Sequence, residues 1–151
     1  ALWIVGKKPV TVQALGGNII TAGTRQKHND FAVILLKFEN QMSVKISAHG
    51  GCVHPHFHSL KVFGENSSFL HESTGTVWID SSNPNEKYKP ETEDYPAKTK
   101  RDGALISFVD SLIDFSKDAM IKEHEVFDTM SICLAAEQAV RTGQIINIEY
   151  L

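Results

Sequence analysis

The chain has 151 residues, a formal charge of −3 and an apolar share of 42%, the make-up of one globular domain that buries roughly 68–70% of its unfolded surface. So small a negative charge draws in neither nucleic acid nor an anionic membrane, and no apolar run approaches the roughly 18 residues needed to span a bilayer. Two cysteines are too few for a disulfide framework and no signal peptide is visible, so a reducing cytoplasm is the expected location.

The opening stretch Ala1-Leu2-Trp3-Ile4-Val5-Gly6 is apolar and closes on a glycine. It lacks the Ser, Thr, Asp or Asn cap and the polar first turn that a helix start needs for its free amides. It reads as the last turns of a helix whose beginning is missing, with Gly6 at the stop position. The chain is therefore expected to be the back part of a longer protein.

Val10 to Leu15 alternates like a strand and meets Gly16-Gly17, a bulge or turn, with Asn18 to Ile20 as a possible continuation. After the polar turn at Lys27–Asp30, Phe31 to Phe38 is rich in residues that suit a pleated sheet. Glu39-Asn40-Gln41 has hairpin length. Met42, Val44, Ile46 and Ala48 then alternate with Ser43, Lys45, Ser47 and His49, the cleanest period of two in the chain. Phe57–Phe63, Ser67–Glu72 and Gly75–Asp80 are three further strands, and the proline-bearing polar segment Ser81–Lys100 reads as a long loop.

The tail changes period. Leu105, Phe108, Val109 and Leu112 share a helical stripe with Phe115 beside it, and Val126, Phe127, Met130, Cys133 and Leu134 mark a second helix over Glu125–Arg141. Cys133 on that stripe is expected to be a buried free thiol, whereas Cys52 beside Gly50-Gly51 is open to exposure. Gly143 stops the second helix, and Ile145–Tyr150 forms a last strand. Strands in a run followed by helices predict an α+β domain: a mostly antiparallel open sheet with helices on one face.

The strand Phe31–Phe38 is apolar on both sides: Phe31, Val33 and Leu35 on one, Ala32, Ile34, Leu36 and Phe38 on the other. A sheet with one wet face alternates. The second face also receives Phe63 and Trp78, if Leu60/Val62 and Val77/Ile79 turn to the helices, mixed with Thr11, Gln13, Lys45, Ser47 and Lys61. Such a patch suits a partner subunit better than the polar Ser81–Lys100 loop lying over it.

His54-Pro55-His56-Phe57-His58 is the constellation that looks chemical. Alternate residues of an extended chain share a face, so the three imidazoles could converge there. Three histidines can hold a divalent metal, and Gly50 with His56-Phe57-His58 matches the opening of the cupin metal motif. The Glu that motif wants is replaced by Val62 and Phe63, and Pro55 disturbs strand geometry. Hydrogen bonding to a polyhydroxylated ligand or a neighbouring chain is favoured over metal, with plain structural histidines as the remaining choice. Glu91, Glu93 and Asp94 read as a solvated acidic stretch, and Lys98, Lys100 and Arg101 as a charged loop. No GxGxxG, GxxxxGK[ST] or GxSxG motif occurs, so no catalytic set and no cofactor site stands in the chain.

Three passages together resemble the C-terminal domain of the Gfo/Idh/MocA oxidoreductases, the glucose–fructose oxidoreductase and inositol dehydrogenase family. Leu2-Trp3-Ile4-Val5-Gly6-Lys7-Lys8-Pro9-Val10 is similar to that family's helix ending in a W-hydrophobic-hydrophobic-G-x-x-P turn. Asp30–Ala32 through Phe38-Glu39-Asn40, and then His58–Gly64, is similar to a strand ending in F-E-N-G and a later strand closing in hydrophobic-x-G-x-x-G. Ala135–Gln144 resembles the family's closing helix. Gln41 stands where the hairpin glycine is usual, and Ser67 or Ser68 where a second glycine is common.

The resemblance implies a fold like the C-terminal domain of glyceraldehyde-3-phosphate dehydrogenase, spanning residues 1–151, with residues 1–6 ending a truncated helix. An N-terminal Rossmann domain, with its glycine-rich loop, its Glu-Lys-Pro lysine and a catalytic Asp and His, would lie upstream. The parent would be an NAD- or NADP-dependent oxidoreductase acting on a sugar, nucleotide-sugar or cyclitol. The chain alone would bind no cofactor, would be inactive, and would supply a substrate wall and a homo-oligomer contact through the open sheet face. Cys52 to His58 would approach the substrate, with His54, His56 and His58 as its binding residues. A free-standing ligand-binding or assembly module and a cupin-type metal protein are the alternatives.

Overall fold

The computed structural model describes residues 2–85, 87, 89 and 102–151. Two compact units share the chain, Ala1–Val53 with Ser111–Leu151, and His54–Asp110. Every strand pairing among the described residues is antiparallel.

The first unit carries α1 (Leu2–Val5), β1 (Thr11–Gly17), β2 (Phe31–Lys37) and β3 (Ser43–His49). Gly6 ends α1 in the left-handed region at φ 67°, and its N–H donates to the Leu2 carbonyl at 2.7 Å. The sheet order is β3-β2-β1-β7, where β7 is the two-residue strand Ile146–Asn147 rather than the expected Ile145–Tyr150. Gly16 and Gly17 do not turn the chain: they stay in β1, paired with Ala32 and Phe31. A side chain at Gly16 would meet the Asn29 amide nitrogen at 2.6 Å and a Val140 methyl at 3.2 Å, so the close approach requires glycine. Asn18–Ile20 leaves the strand instead of prolonging it. The buried Asp30 carboxylate gathers this loop by accepting from the backbone N–H groups of Ile20 at 2.8 Å and Thr21 at 2.7 Å. These bonds, Thr21's first, hold the Asp30 carboxyl below its ordinary range.

Of the two helices expected in the tail, α3 (Glu123–Thr142) closes the core of this unit. Val12 and Ala14 of β1, Leu36 and Phe38 meet Ile132, Ala135, Ala136 and Ala139 of the helix. The buried side of α3 is thus its small-residue side, because alanines let the helix backbone approach β1 closely. The stripe Val126, Phe127, Met130 and Leu134 points outward at 43–54% exposure, and Cys133 is exposed rather than buried. At the start of α3, Lys122 N–H donates to Glu125 Oε2 at 2.7 Å and Trp3 Nε1 donates to Oε1 at 2.9 Å, which fixes α1 to the helix. Gly143 ends α3 at φ 70°, as its position predicts.

On the sheet's far side, the register sets Leu35 opposite Gln13 and Lys45, and Val33 opposite Leu15 and Ser47. That is the mixed face expected from the strand parities, with Leu15 68% and Leu35 46% exposed.

The second unit holds β4 (Leu60–Phe63), β5 (Ser67–Glu72) and β6 (Gly75–Asp80) in that order. Its β4 begins at Leu60, three residues later than expected, so the histidine segment lies outside the strand. Val62, Phe69 and Trp78 stand opposite one another, as do Phe63, Ser68 and Ile79. These strands form a sheet of their own, so Phe63 and Trp78 do not join the outer face of β1–β3 as expected, and the β4–β5 register puts them on opposite faces of this second sheet. Lys89 makes an isolated bridge to Thr76, and most of the Ser81–Lys100 loop lies outside the described residues. The remaining helix, α2 (Gly103–Ile113), spans the boundary at Asp110, and its expected core stripe Leu105, Phe108, Val109 and Leu112 is 43–68% exposed.

Candidate substrate-binding site

The approach to β4 is shaped by Pro55, which cannot donate to a ladder, and residues 55–59 run without regular structure. Without a pleat, alternate residues have no common face, and the three imidazoles are divided. His54 Nδ1 donates to the Pro55 carbonyl at 2.7 Å. His56 and His58 turn to each other, with Nε2 to Nε2 at 3.1 Å and ring planes at 79°. Among the described residues no three His, Cys, Asp or Glu side chains are placed to hold one metal ion.

Phe57 lies between the paired imidazoles in sequence and stacks on His71 of β5, with centroids 5.0 Å apart and planes at 29°. His71 is itself fixed by a 2.9 Å hydrogen bond between Nδ1 and the Thr76 hydroxyl of β6. This stack holds the irregular segment against the β5–β6 hairpin. Between them opens a cleft of about 320 Å³ lined by His54, Phe57, Ser59, Glu72, Ser73 and Thr74. Lys61 pairs with Glu72 on the same sheet face and orients its carboxylate.

The lining has an aromatic ring, one imidazole, one carboxylate and three hydroxyls. Such a set can stack on an apolar ring face and exchange several hydrogen bonds with a polyhydroxylated molecule. Of the sequence-predicted residues, His54 lines the cleft, while His56 and His58 are not among the lining residues. Ser59, Glu72, Ser73 and Thr74 were not singled out from sequence; the polar turn Glu72-Ser73-Thr74-Gly75 closing two strands was the available signal. Cys52 is exposed, with Sγ 3.6 Å from the His49 carbonyl. The stretches Glu91–Asp94 and Lys98–Arg101 lie outside the described residues.

No family model matches the sequence, and no curated protein matches it. Solved structures do match its fold. A Thermotoga maritima protein whose oxidoreductase activity is itself an inference aligns over 97% of this chain and 43% of its own, at TM-score 0.76 and 18% identity. An Agrobacterium radiobacter oxidoreductase, solved with NAD+, L-tartaric acid and magnesium, aligns over 97% and 45%, at 0.74 and 12%. The WlbA dehydrogenase of Bordetella pertussis, solved with NADH and UDP-GlcNAcA, aligns over 98% and 41%, at 0.64 and 16%.

The chain thus spans less than half the length of these structures. It shares the fold of the matching part of these oxidoreductases, an α+β fold of the glyceraldehyde-3-phosphate dehydrogenase C-terminal kind. These neighbours are of the Gfo/Idh/MocA type, so the resemblance drawn from three sequence passages is met at the level of fold.

Proposed function

We propose that this chain is the substrate-binding and oligomerisation domain of an NAD(P)-dependent oxidoreductase that acts on a sugar, nucleotide-sugar or cyclitol. One observation carries the proposal: nearly the whole chain aligns with less than half of each protein solved with a nicotinamide dinucleotide, which leaves room in such a protein for a second domain to hold the cofactor. NAD or NADP would accept the hydride there, since this chain has no glycine-rich phosphate loop of its own. The fragment alone would then be inactive and bind neither dinucleotide.

In this reading the cleft beside β4 is a wall of the sugar pocket. His54 and the hydroxyl-bearing turn Ser73-Thr74 meet substrate oxygens and Phe57 meets a ring face, with His56 and His58 as further substrate-binding residues from the same segment. The mixed outer face of β1–β3, with Leu15, Val33 and Leu35, serves a second copy of the subunit. Free thiols at Cys52 and Cys133 suit a cytoplasmic protein. The gene upstream of Ala1 tests the proposal directly: a strand, a glycine-rich loop and a helix are expected, and an immediate start codon removes it. Saturable quenching of NADH fluorescence by the purified chain would contradict the division of labour.

A further inference from the structure

We propose that His56 and His58 form a two-imidazole site for a divalent transition-metal ion of the copper, nickel and zinc group. The inference rests on side-chain geometry and does not depend on the oxidoreductase reading. Nitrogen ligands sit about 2.0–2.1 Å from such an ion, so two of them at angles of about 90–109° lie roughly 2.8–3.4 Å apart. The two Nε2 atoms are 3.1 Å apart, within that interval. Both are the outer ring nitrogens of exposed side chains, on rings whose planes are nearly perpendicular.

The spacing is held by the chain on either side. Phe57 between them is stacked on His71, and two residues beyond His58 the ladder of β4 begins, with Leu60 paired to His71. The site is therefore anchored at both its centre and its exit, which lowers the ordering cost of bringing two imidazoles to one ion. Without metal, one Nε2–H donates to the other Nε2. With metal, that proton moves to Nδ1 of its own ring, so both Nε2 lone pairs become available without loss of charge.

Imidazole pairs favour Cu2+, Ni2+ and Zn2+, whereas Mg2+ and Ca2+ prefer oxygen, so affinity should fall from copper through the other two to none for magnesium. Among the described residues no third His, Cys, Asp or Glu joins them, and water or the oxygens of a small ligand fill the other positions.

Isothermal titration of the purified chain with CuCl2, NiCl2, ZnCl2 and MgCl2 tests the site. One ion per chain is expected, tightest for copper, and His56→Gln or His58→Gln should each weaken copper binding about a hundredfold, the lower range of gain from an intramolecular second ligand. His54→Gln and His28→Gln should leave it unchanged, and far-UV circular dichroism of each variant confirms its fold. Electron paramagnetic resonance of the copper complex should resolve two nitrogen ligands. Binding that survives the His56→Gln/His58→Gln double variant, equal losses at His28, or a one-nitrogen spectrum would overturn the proposal.

Discussion

Lys8 is the residue whose removal should cost the first unit most for a side chain half in water. Its ammonium donates to Asp128 Oδ1 at 2.6 Å, and the Asp128 side chain is only 6% exposed while that of Lys8 is 52% exposed. The same ammonium sits 4.7 Å from the centre of the Tyr150 ring, and Tyr150 donates its hydroxyl hydrogen to the Pro9 carbonyl at 2.6 Å. One network thus ties the segment after α1, the buried side of α3 and the C-terminus. Breaking a fully buried ion pair from one side costs about 3–5 kcal/mol, because the remaining charge is stranded. Water reaches Lys8 and screens part of this, so Lys8→Met should destabilise by roughly 2 kcal/mol. For a chain of this size that lowers the melting temperature by about 4–8 °C. Urea unfolding followed by circular dichroism measures it. Lys8→Met/Asp128→Leu should recover most of the loss, since an apolar pair of similar volume replaces the charges. A single Lys8→Met variant within about 0.5 kcal/mol of the parent would refute the reasoning.

Gln41 adopts φ 68° at the β2–β3 connection, the one non-glycine residue in that region among those described, and Gln41→Gly should raise stability by about 0.5–1 kcal/mol in urea titration. Burial first, and the Asp128 charge second, push the Tyr150 phenol up to about 12 from its usual 10. A raised folded pKa means that Tyr150's contribution is fully present below pH 10 and is lost as the pH climbs toward 12. Tyr150→Phe should flatten the fall in stability across that window, read from melts at several alkaline pH values. If the cleft is a wall of the sugar pocket proposed above, Glu72→Gln in the parent enzyme should raise KM roughly tenfold by removing a charged hydrogen-bond acceptor, with kcat less affected. An unchanged KM would take the cleft out of the substrate pocket.

Strand existence was legible because alternation is local. Met42 to His49 reads as a strand without reference to anything else, and its register with β2 keeps Val44 and Ile46 on the core side with Leu36 and Ile34. What alternation could not supply was which strands share a sheet and the pairing offset between them: Phe63 and Trp78 stand in a sheet separate from that of Phe31–Lys37, and on opposite faces of it. Parity within a strand says which residues share a side, but only the hydrogen-bond register of β4 with β5 says which side that is. The histidines failed differently. Convergence of His54, His56 and His58 presumed a pleat that Pro55 prevents, so a doublet formed where a triplet was expected. Glu72, Ser73 and Thr74 come to the cleft from the far end of β5, and the polar turn they form shows in the sequence while its proximity to His54 does not.

The helix α3 carries the most general lesson about apolar stripes. Its bulky residues Val126, Phe127, Met130 and Leu134 are the strongest periodic signal in the tail, yet the sheet is packed by Ile132 and three alanines. A helix laid closely on a strand needs small side chains at the contact, and the large ones are then displaced to the opposite side. Periodicity identifies an apolar side; side-chain size decides whether that side meets its own sheet. A helix with an apolar side left over after its sheet is packed has more than one surface to cover. The outer face of β1–β3 has the same property, with Leu15 and Leu35 open beside Gln13 and Lys45. Two such surfaces on one unit fit a domain that works inside a larger assembly, which is the physical content of the proposal that it serves an oxidoreductase rather than acting alone.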